Sequence, residues 1–176
     1  MNPLTIYTAA SFKMLHAVRL FHMAVQERIP GITILDWTTK ATPPDGLSPA
    51  QRREWFDTEQ SGGQVYAFCR DACVSADVVV YLGQSGQDAG VEVGMAASSG
   101  VPVIGVRGPL EVPGLMLHGA VNVWCYDIEQ VIVLLARLAG QCGGVDCRDC
   151  KALDICTSTT VVTCYIYLFY NDKFLL

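Results

Sequence analysis

Residues 76–94 read Ala-Asp-Val-Val-Val-Tyr-Leu-Gly and then Gln-Ser-Gly-Gln-Asp-Ala-Gly-Val-Glu-Val-Gly. An uninterrupted apolar run of strand length is followed by a polar, glycine-containing turn and then by a helical pattern. The unbroken Val78-Val79-Val80 implies burial on both faces, which is the mark of a central strand in a parallel sheet. Such sheets gather their ligands just beyond the carboxyl ends of their strands. Whatever follows Leu82 therefore stands at the mouth of a crevice. Asp88 and Glu92, four residues apart, share one face of the helix that opens there.

The rest of the chain fits around this unit. Leu4 to Thr8 reads as the first strand. Phe12 to Arg28 reads as a helix, with Met14, Val18, Phe21 and Val25 in an apolar stripe and Pro30-Gly31 ending it. Ile32 to Leu35 is the second strand. Ala41 to Pro49 carries three prolines and a glycine and reads as a long loop. Ser48-Pro49 opens a short helix, with Pro49 at its first position. Gln64 to Val74 is a further helix with Val65, Phe68, Cys69 and Ala72 facing inward, and Cys69 and Cys73 read as packing residues on one face. Asp77 to Leu82, Val101 to Val106 and Val121 to Trp124 complete the strands. Asp88 to Ser99, ended by Gly100 and Pro102, and Asp127 to Leu138, capped by Asp127 and stopped by Gly140, complete the helices. Strands alternating with helices predict an α/β fold, a flavodoxin-like, doubly wound, parallel five-stranded sheet of order 2-1-3-4-5. It would occupy residues 1–140, with 141–176 as a Cys-rich C-terminal extension.

Composition narrows the partners. At 176 residues the chain is long enough for one domain with a real core, 51% of its residues are apolar, and its net charge is −5. No basic stripe is present, so a nucleic acid polymer is not an expected partner. The amino-terminal residues lack a charged and then apolar leader pattern. No apolar run reaches the ~18 residues of a membrane span; residues 161–170 come closest. The expectation is a cytoplasmic protein whose eight cysteines are thiols or metal ligands.

Several familiar chemistries are absent. No G-x-G-x-x-G follows the first strand, where Ala9-Ala10-Ser11-Phe12-Lys13 stands instead. Neither a P-loop nor a G-x-S-x-G elbow occurs. What remains is the pair of carboxylates, the usual equipment for cleaving a bond at the anomeric carbon of a sugar. Glu92 is the candidate nucleophile, on the reading that a helix N-terminus favours its charged form; a first-turn acid serving only the macrodipole is the other reading. Asp88 is either its partner or an N-cap. Tyr7, near the carboxyl end of the first strand, can hydrogen-bond a carboxylate or a sugar. Asp36 and Trp37 end the second strand at the same edge, and Trp37 either stacks on a base or packs in the core. Gly90, with Gly94, leaves room for a ligand or a partner backbone. His118, in the Gly114–Gly119 loop, can reach the site. Ser11 and Lys13 suit a phosphate at a helix N-terminus, or are simply an N-cap and a solvated lysine. Asp77 reads as structural. Cys142, Cys147, Cys150 and Cys156 either hold a structural zinc or are free thiols; no cofactor is expected for catalysis.

Taken together, Ile6-Tyr7-Thr8-Ala9-Ala10-Ser11-Phe12, Ala76-Asp77-Val78-Val79-Val80, Asp88-Ala89-Gly90-Val91-Glu92-Val93-Gly94-Met95-Ala96 and Val101-Pro102-Val103-Ile104 resemble the nucleoside 2-deoxyribosyltransferase superfamily. Its pattern is a tyrosine near the end of strand one, an A-D-hydrophobic third strand, a D/S-x-G-x-x-E-hydrophobic-G-x-A helix start and an x-P-V strand. The resemblance covers roughly residues 4–106. It implies a homo-oligomer acting on a nucleoside or nucleotide, with Glu92 attacking the anomeric carbon. In the nucleoside 5′-monophosphate N-glycosidase branch, a serine and an arginine after strand one hold the 5′-phosphate; Ser11 and Lys13 stand in those places, Lys replacing Arg. The family's acidic partner stands farther before the glutamate than Asp88 does, and the Cys-rich tail has no counterpart in it. A non-catalytic module that senses a nucleotide signal is the alternative the same fold permits.

Overall fold

The computed structural model describes residues 3–140, apart from the side chains of residues 59–62. Along the chain, β1 (Thr5–Ala9) leads through a 3-10 turn to α1 (Leu15–Arg28) and β2 (Thr33–Leu35), and a long connection then leads to α2 (Pro49–Asp57) and α3 (Glu59–Ser75). The second half runs β3 (Val78–Leu82), α4 (Gln87–Ser98), β4 (Val103–Val106), α5 (Leu115–Ala120), β5 (Val123–Cys125) and α6 (Ile128–Leu138). The strands form one sheet in the order β2-β1-β3-β4-β5, every pair parallel. This is the predicted flavodoxin-like arrangement. The order reverses between β1 and β3, so the ligand crevice of such a sheet opens between their carboxyl ends.

All five residues of β3 are buried, as the valine run predicts for a strand covered on both faces; each buried side chain contributes roughly 1.5–3 kcal/mol. Register fixes which side chains share a face. Tyr7, Val79 and Val103 lie abreast, and so do Ala9, Tyr81, Gly105 and Trp124. Helices α3 and α4 pack on this face. Thr8 points to the opposite face, where its hydroxyl lies 3.0 Å from Nε2 of His22 on α1. Asp77 is structural, as expected. Its carboxylate accepts from the Thr5 amide and its own amide donates to the Thr5 carbonyl, both at 2.8 Å, which clamps the amino ends of β1 and β3.

Local rules explain most of the boundaries. Ser48 and Gln51 form a capping box with Pro49 in the first turn of α2. Asp127 accepts from the Gln130 amide at 2.9 Å. Gly31, Gly100 and Gly140 take positive φ angles after α1, α4 and α6. Some expectations need correction. Phe12–Met14 is a 3-10 turn, so α1 begins only at Leu15. Helix α3 starts five residues earlier than its apolar period indicates, because residues 59–63, Glu-Gln-Ser-Gly-Gly, contain no large apolar residue to mark the period. Residues 115–120 are helical rather than loop. The four cysteines of the metal reading (Cys142, Cys147, Cys150, Cys156) and residues 157–176 lie outside the described residues. Among the described residues no helix is long and apolar enough to cross a membrane.

Gly105 marks a place where packing, not turn geometry, requires glycine. A Cβ there would lie 2.7 Å from the Trp124 ring and 2.9 Å from Val121. Because both neighbours belong to the sheet and its flank, relief requires a shift of backbone or of a bulky ring. Gly105→Ala is expected to cost about 1–3 kcal/mol, read as a lowered denaturation midpoint at unchanged slope. Trp124→Leu should relieve most of that loss in a double-mutant cycle.

Candidate active site

The crevice at the switch point is a cavity of about 570 Å³, within the range of small-molecule sites. Its walls come from five places. Ala10 and Phe12 follow β1, Trp37 and Ala41 follow β2, and Trp55 and Phe56 belong to α2. Facing them stand Val65, Tyr66, Cys69 and Arg70 of α3 and Asp88, Val91, Glu92 and Met95 of α4. One side is aromatic: Phe12 lies 6.3 Å from Trp37 and 5.4 Å from Phe56, which meets Trp55 edge-on at 4.9 Å. The ionisable groups gather on the α3 and α4 side.

Tyr7 and Glu92, 85 residues apart in sequence, meet here. The Tyr7 hydroxyl donates to Glu92 Oε1 at 2.6 Å, and the second oxygen, Oε2, is buried with no hydrogen-bond partner. One carboxylate oxygen is thus held and the other bare. Burial raises the Glu92 carboxyl to about 7, with the Asp88 charge adding to the rise and donors from Tyr7 and Cys69 opposing it. This corrects the expectation that the helix N-terminus favours the charged form. Helix α4 begins at Gln87, so Glu92 stands in its second turn. A macrodipole contributes about 0.3–1 kcal/mol and only within the first turn, whereas a rise from 4.5 to about 7 corresponds to about 3 kcal/mol. Burial wins. The Tyr7 phenol, buried beside that carboxylate, is pushed far above its ordinary value and stays protonated.

The other candidates are placed as follows. Asp88 lines the cavity one turn before Glu92. Trp37 is buried and lines it as well, its indole N–H donating to the Thr8 carbonyl at 2.8 Å. Asp36 is turned to its own backbone, accepting from the Thr38 amide at 2.8 Å, with His22 Nδ1 at 3.7 Å. Ser11 caps the 3-10 turn by accepting from the Lys13 amide at 3.3 Å, and its own amide donates to Ser85 Oγ at 3.0 Å. That contact ties the turn after β1 to the turn after β3. Lys13 is exposed and, like Ser11, belongs to the adjoining turn rather than the cavity wall. Gly90 lies on the exposed side of α4, where a Cβ would meet nothing within 4 Å. His118 stands apart from the cavity. It is exposed on α5, its ring 6.0 Å from that of Trp124.

Sequence reasoning missed Cys69 as a site residue. Its inward position on α3 was legible, but the period could not say that this stretch of the inward face meets a crevice rather than the core. Burial pushes its thiol up to about 12, so it stays neutral. The aromatic side chains of α2 were missed for a similar reason, since nothing in that helix is buried. A further expected result concerns Tyr7. Tyr7→Phe removes a donor to a charged acceptor, worth about 1.5–3 kcal/mol, so carbon-13 NMR of the Glu92 carboxyl should find it titrating well above pH 7.

No family model matches the sequence, and no curated protein matches it. In three dimensions the chain is similar to a 2-deoxyribosyltransferase from Bacillus psychrosaccharolyticus, with a TM-score of 0.58 and 18% identity, over 73% of this chain and 90% of that one. A CMP N-glycosidase from Clostridium botulinum overlaps more loosely, with a TM-score of 0.43 and 14% identity, over 76% of this chain and 98% of that one. The likeness to the first extends over most of both chains and places the two on one fold.

Proposed function

We propose that the protein cleaves or exchanges the N-glycosidic bond of a nucleoside or nucleotide, with Glu92 as nucleophile. The observation that carries this reading is the asymmetry of the Glu92 carboxylate: Oε1 is fixed by Tyr7 while Oε2 is buried and unpartnered. An oxygen of that kind costs free energy in the empty site, and bonding to an electrophilic C1′ relieves it. In the proposed sequence, the electron pair of Oε2 forms the bond to C1′ as the bond to the base nitrogen breaks and its electrons leave with the base. The glycosyl ester is then taken by water or by a second base. Tyr7 orients the carboxylate, and Asp88 accepts from the sugar hydroxyls. The aromatic wall of Phe12, Trp37, Trp55 and Phe56 suits the flat face of a nucleobase. The fold held in common with a 2-deoxyribosyltransferase is consistent with this reading. Ser11 and Lys13, beside the mouth, are the proposed contacts for a 5′-phosphate.

The test is to incubate the protein with a panel of nucleosides and nucleoside monophosphates, separate free base by chromatography, and weigh the rapidly quenched protein. Free base together with a pentosyl adduct on the Glu92 peptide supports the reading. Calorimetric binding without free base or adduct overturns it in favour of a nucleotide-binding module. Because only ionised Glu92 can attack, and its carboxyl is raised to about 7, kcat/KM is expected to climb as pH passes from 6 to 8. A rate that is flat across that range contradicts the assignment.

Self-association is part of the proposal. Leu110, Val112, Leu115, Met116 and Tyr126 are each at least 85% exposed; four of them fall within residues 110–116, and exposed apolar side chains brought together in one patch mark an interaction site. Sedimentation is expected to find a homo-oligomer, and Leu115→Glu with Met116→Glu to shift it toward monomer.

A further inference from the structure

One carboxylate fastens the turn after β4 to the turn after β3. Leu110 and Val112 are each at least 90% exposed, and between them Glu111 is half-buried. Its Oε2 accepts from the Gly108 amide at 3.0 Å, and its Oε1 accepts from the phenol of Tyr81 on β3. The same phenol accepts from the Ser85 amide at 3.3 Å. The Ser85 hydroxyl donates to the Leu82 carbonyl and accepts from the Ser11 amide at 3.0 Å. The turns after β1, β3 and β4 are thereby joined in one relay along the carboxyl edge of the sheet. We propose that Glu111 is a positioning residue for the 5′-phosphate subsite: through Tyr81 and Ser85 it fixes the turn that carries Ser11 and Lys13. The proposal rests on reading those two residues as phosphate contacts for its consequence, not for its geometry.

The ends of the relay set the direction of every bond in it. An ionised carboxylate can only accept, and a backbone amide can only donate. The Tyr81 proton therefore points at Glu111, and a lone pair of its oxygen faces the Ser85 amide. Burial, with the bond to Glu111 adding to it, pushes the phenol above its ordinary value, so it keeps that proton. Without the carboxylate, the phenol and the Gly108 amide both lose their acceptor, and a partly buried donor left unpaired is costly. The two turns also touch closely. A Cβ on Gly83 would lie 1.9 Å from Glu111 Oε2, and one on Gly108 would lie 2.7 Å from the Gln84 amide nitrogen. The carboxylate fills the space that a side chain at position 83 would need. Helix α4, which follows the β3 turn, is held independently by its packing on α3, α5 and the sheet, so Glu92 is not expected to move with the relay.

The test has two readouts. Amide hydrogen exchange, followed by NMR without ligand, reads the relay itself. Glu111→Ala is expected to speed exchange of the Ser11 and Ser85 amides by about tenfold or more, as for a hydrogen bond lost by local opening. Calorimetry then compares each nucleoside monophosphate of the panel with its own nucleoside. The variant is expected to bind the monophosphate about tenfold more weakly, the cost of ordering a loosened turn, and the nucleoside less than about threefold more weakly. Tyr81→Phe cuts the relay from within the buried strand β3 and leaves the loop surface unaltered. It is expected to give the same two results, and the double variant no more than either alone. Glu111→Gln, whose carbonyl can still accept from Tyr81, is expected to recover most of the protection at Ser85 and Ser11. Should Glu111→Ala fail to fold, Tyr81→Phe and Glu111→Gln carry the test. Unchanged exchange at Ser11 and Ser85, or exchange sped alike throughout the sheet, overturns the proposal. So does an equal loss of affinity for nucleoside and monophosphate, because the relay would then serve the whole site. A protein that binds monophosphates with these differences but releases no base sinks the proposed function and leaves the role of Glu111 standing. One that binds no nucleoside monophosphate overturns both.

Discussion

Glu92→Gln is expected to lower the rate of base release by at least about 10³-fold with KM changed little, as for loss of a group that acts only as the bond is made. The substitution is chosen because it alters so little else. Gln has nearly the volume of Glu, and its carbonyl oxygen can still accept from the Tyr7 hydroxyl that now bonds Oε1 at 2.6 Å. What disappears is the charge and nucleophilicity of the oxygen left bare. Asp88→Asn tests the supporting carboxylate and should cost far less, on the order of tenfold, because Asn retains an acceptor for a sugar hydroxyl. The measurement is steady-state release of free base on the preferred substrate. A Glu92→Gln protein within tenfold of wild type would end the assignment.

The same substitution is expected to stabilise the protein, by an amount that grows as pH rises from about 4.5 to about 7 and is constant above that. The Glu92 carboxyl binds its proton more tightly in the folded chain, with a midpoint raised from 4.5 to about 7, chiefly by burial. Between those values the folded state holds more protons than the unfolded state, so stability falls as pH rises through that window. Below about pH 4.5 the residue is neutral in both states and costs nothing. Above about pH 7 the folded state carries a buried charge whose penalty is on the order of 3 kcal/mol. Gln has no such charge. Wild type and Glu92→Gln should therefore melt together near pH 4.5, and separate by roughly 5–10 °C at pH 8.5, with the variant the more stable. Melting curves at the two pH values check this. A gap of the same size at both would mean that the gain comes from packing rather than ionisation. A site that stores instability in its reacting group is a common trade of stability for activity.

Much of the scaffold was legible from local pattern. The valine run at 78–80 announced a strand covered on both faces, and β3 is buried throughout. Ser48, Asp127, Gly100 and Gly140 marked helix ends because caps and left-handed stops depend on the residue itself and its immediate neighbours. Boundaries went astray where the local signal was silent. Helix α3 begins before its apolar stripe does, and the short helix α5 buries none of its residues. Within the site, Glu92, Asp88, Tyr7 and Trp37 were placed at the correct sheet edge by strand ends and helix starts. His118 was put in the same region by chain order alone, and chain order does not say which way a connection turns; it lies against Trp124 instead.

The electrostatics of Glu92 could not be read from the chain. By sequence it was an acid near a helix start, and dipole reasoning favoured its charged form. Its ionisation depends instead on how much protein surrounds it, and that protein comes from β1, α3 and α4 together. The donors from Tyr7 and Cys69 belong to the same category, since each lies more than twenty residues from Glu92 and acts only through space.

The amino-acid order alone thus determined the alternation of strands and helices, the central place of β3 and the sheet edge at which chemistry can occur, because periodicity, caps and turn residues act over a few neighbours. Only the tertiary structure decided that Tyr7 holds one oxygen of Glu92, that Cys69 belongs to the cavity, and that burial outweighs the helix dipole. Desolvation and hydrogen bonding between distant segments are properties of the packed chain, and no local pattern encodes them.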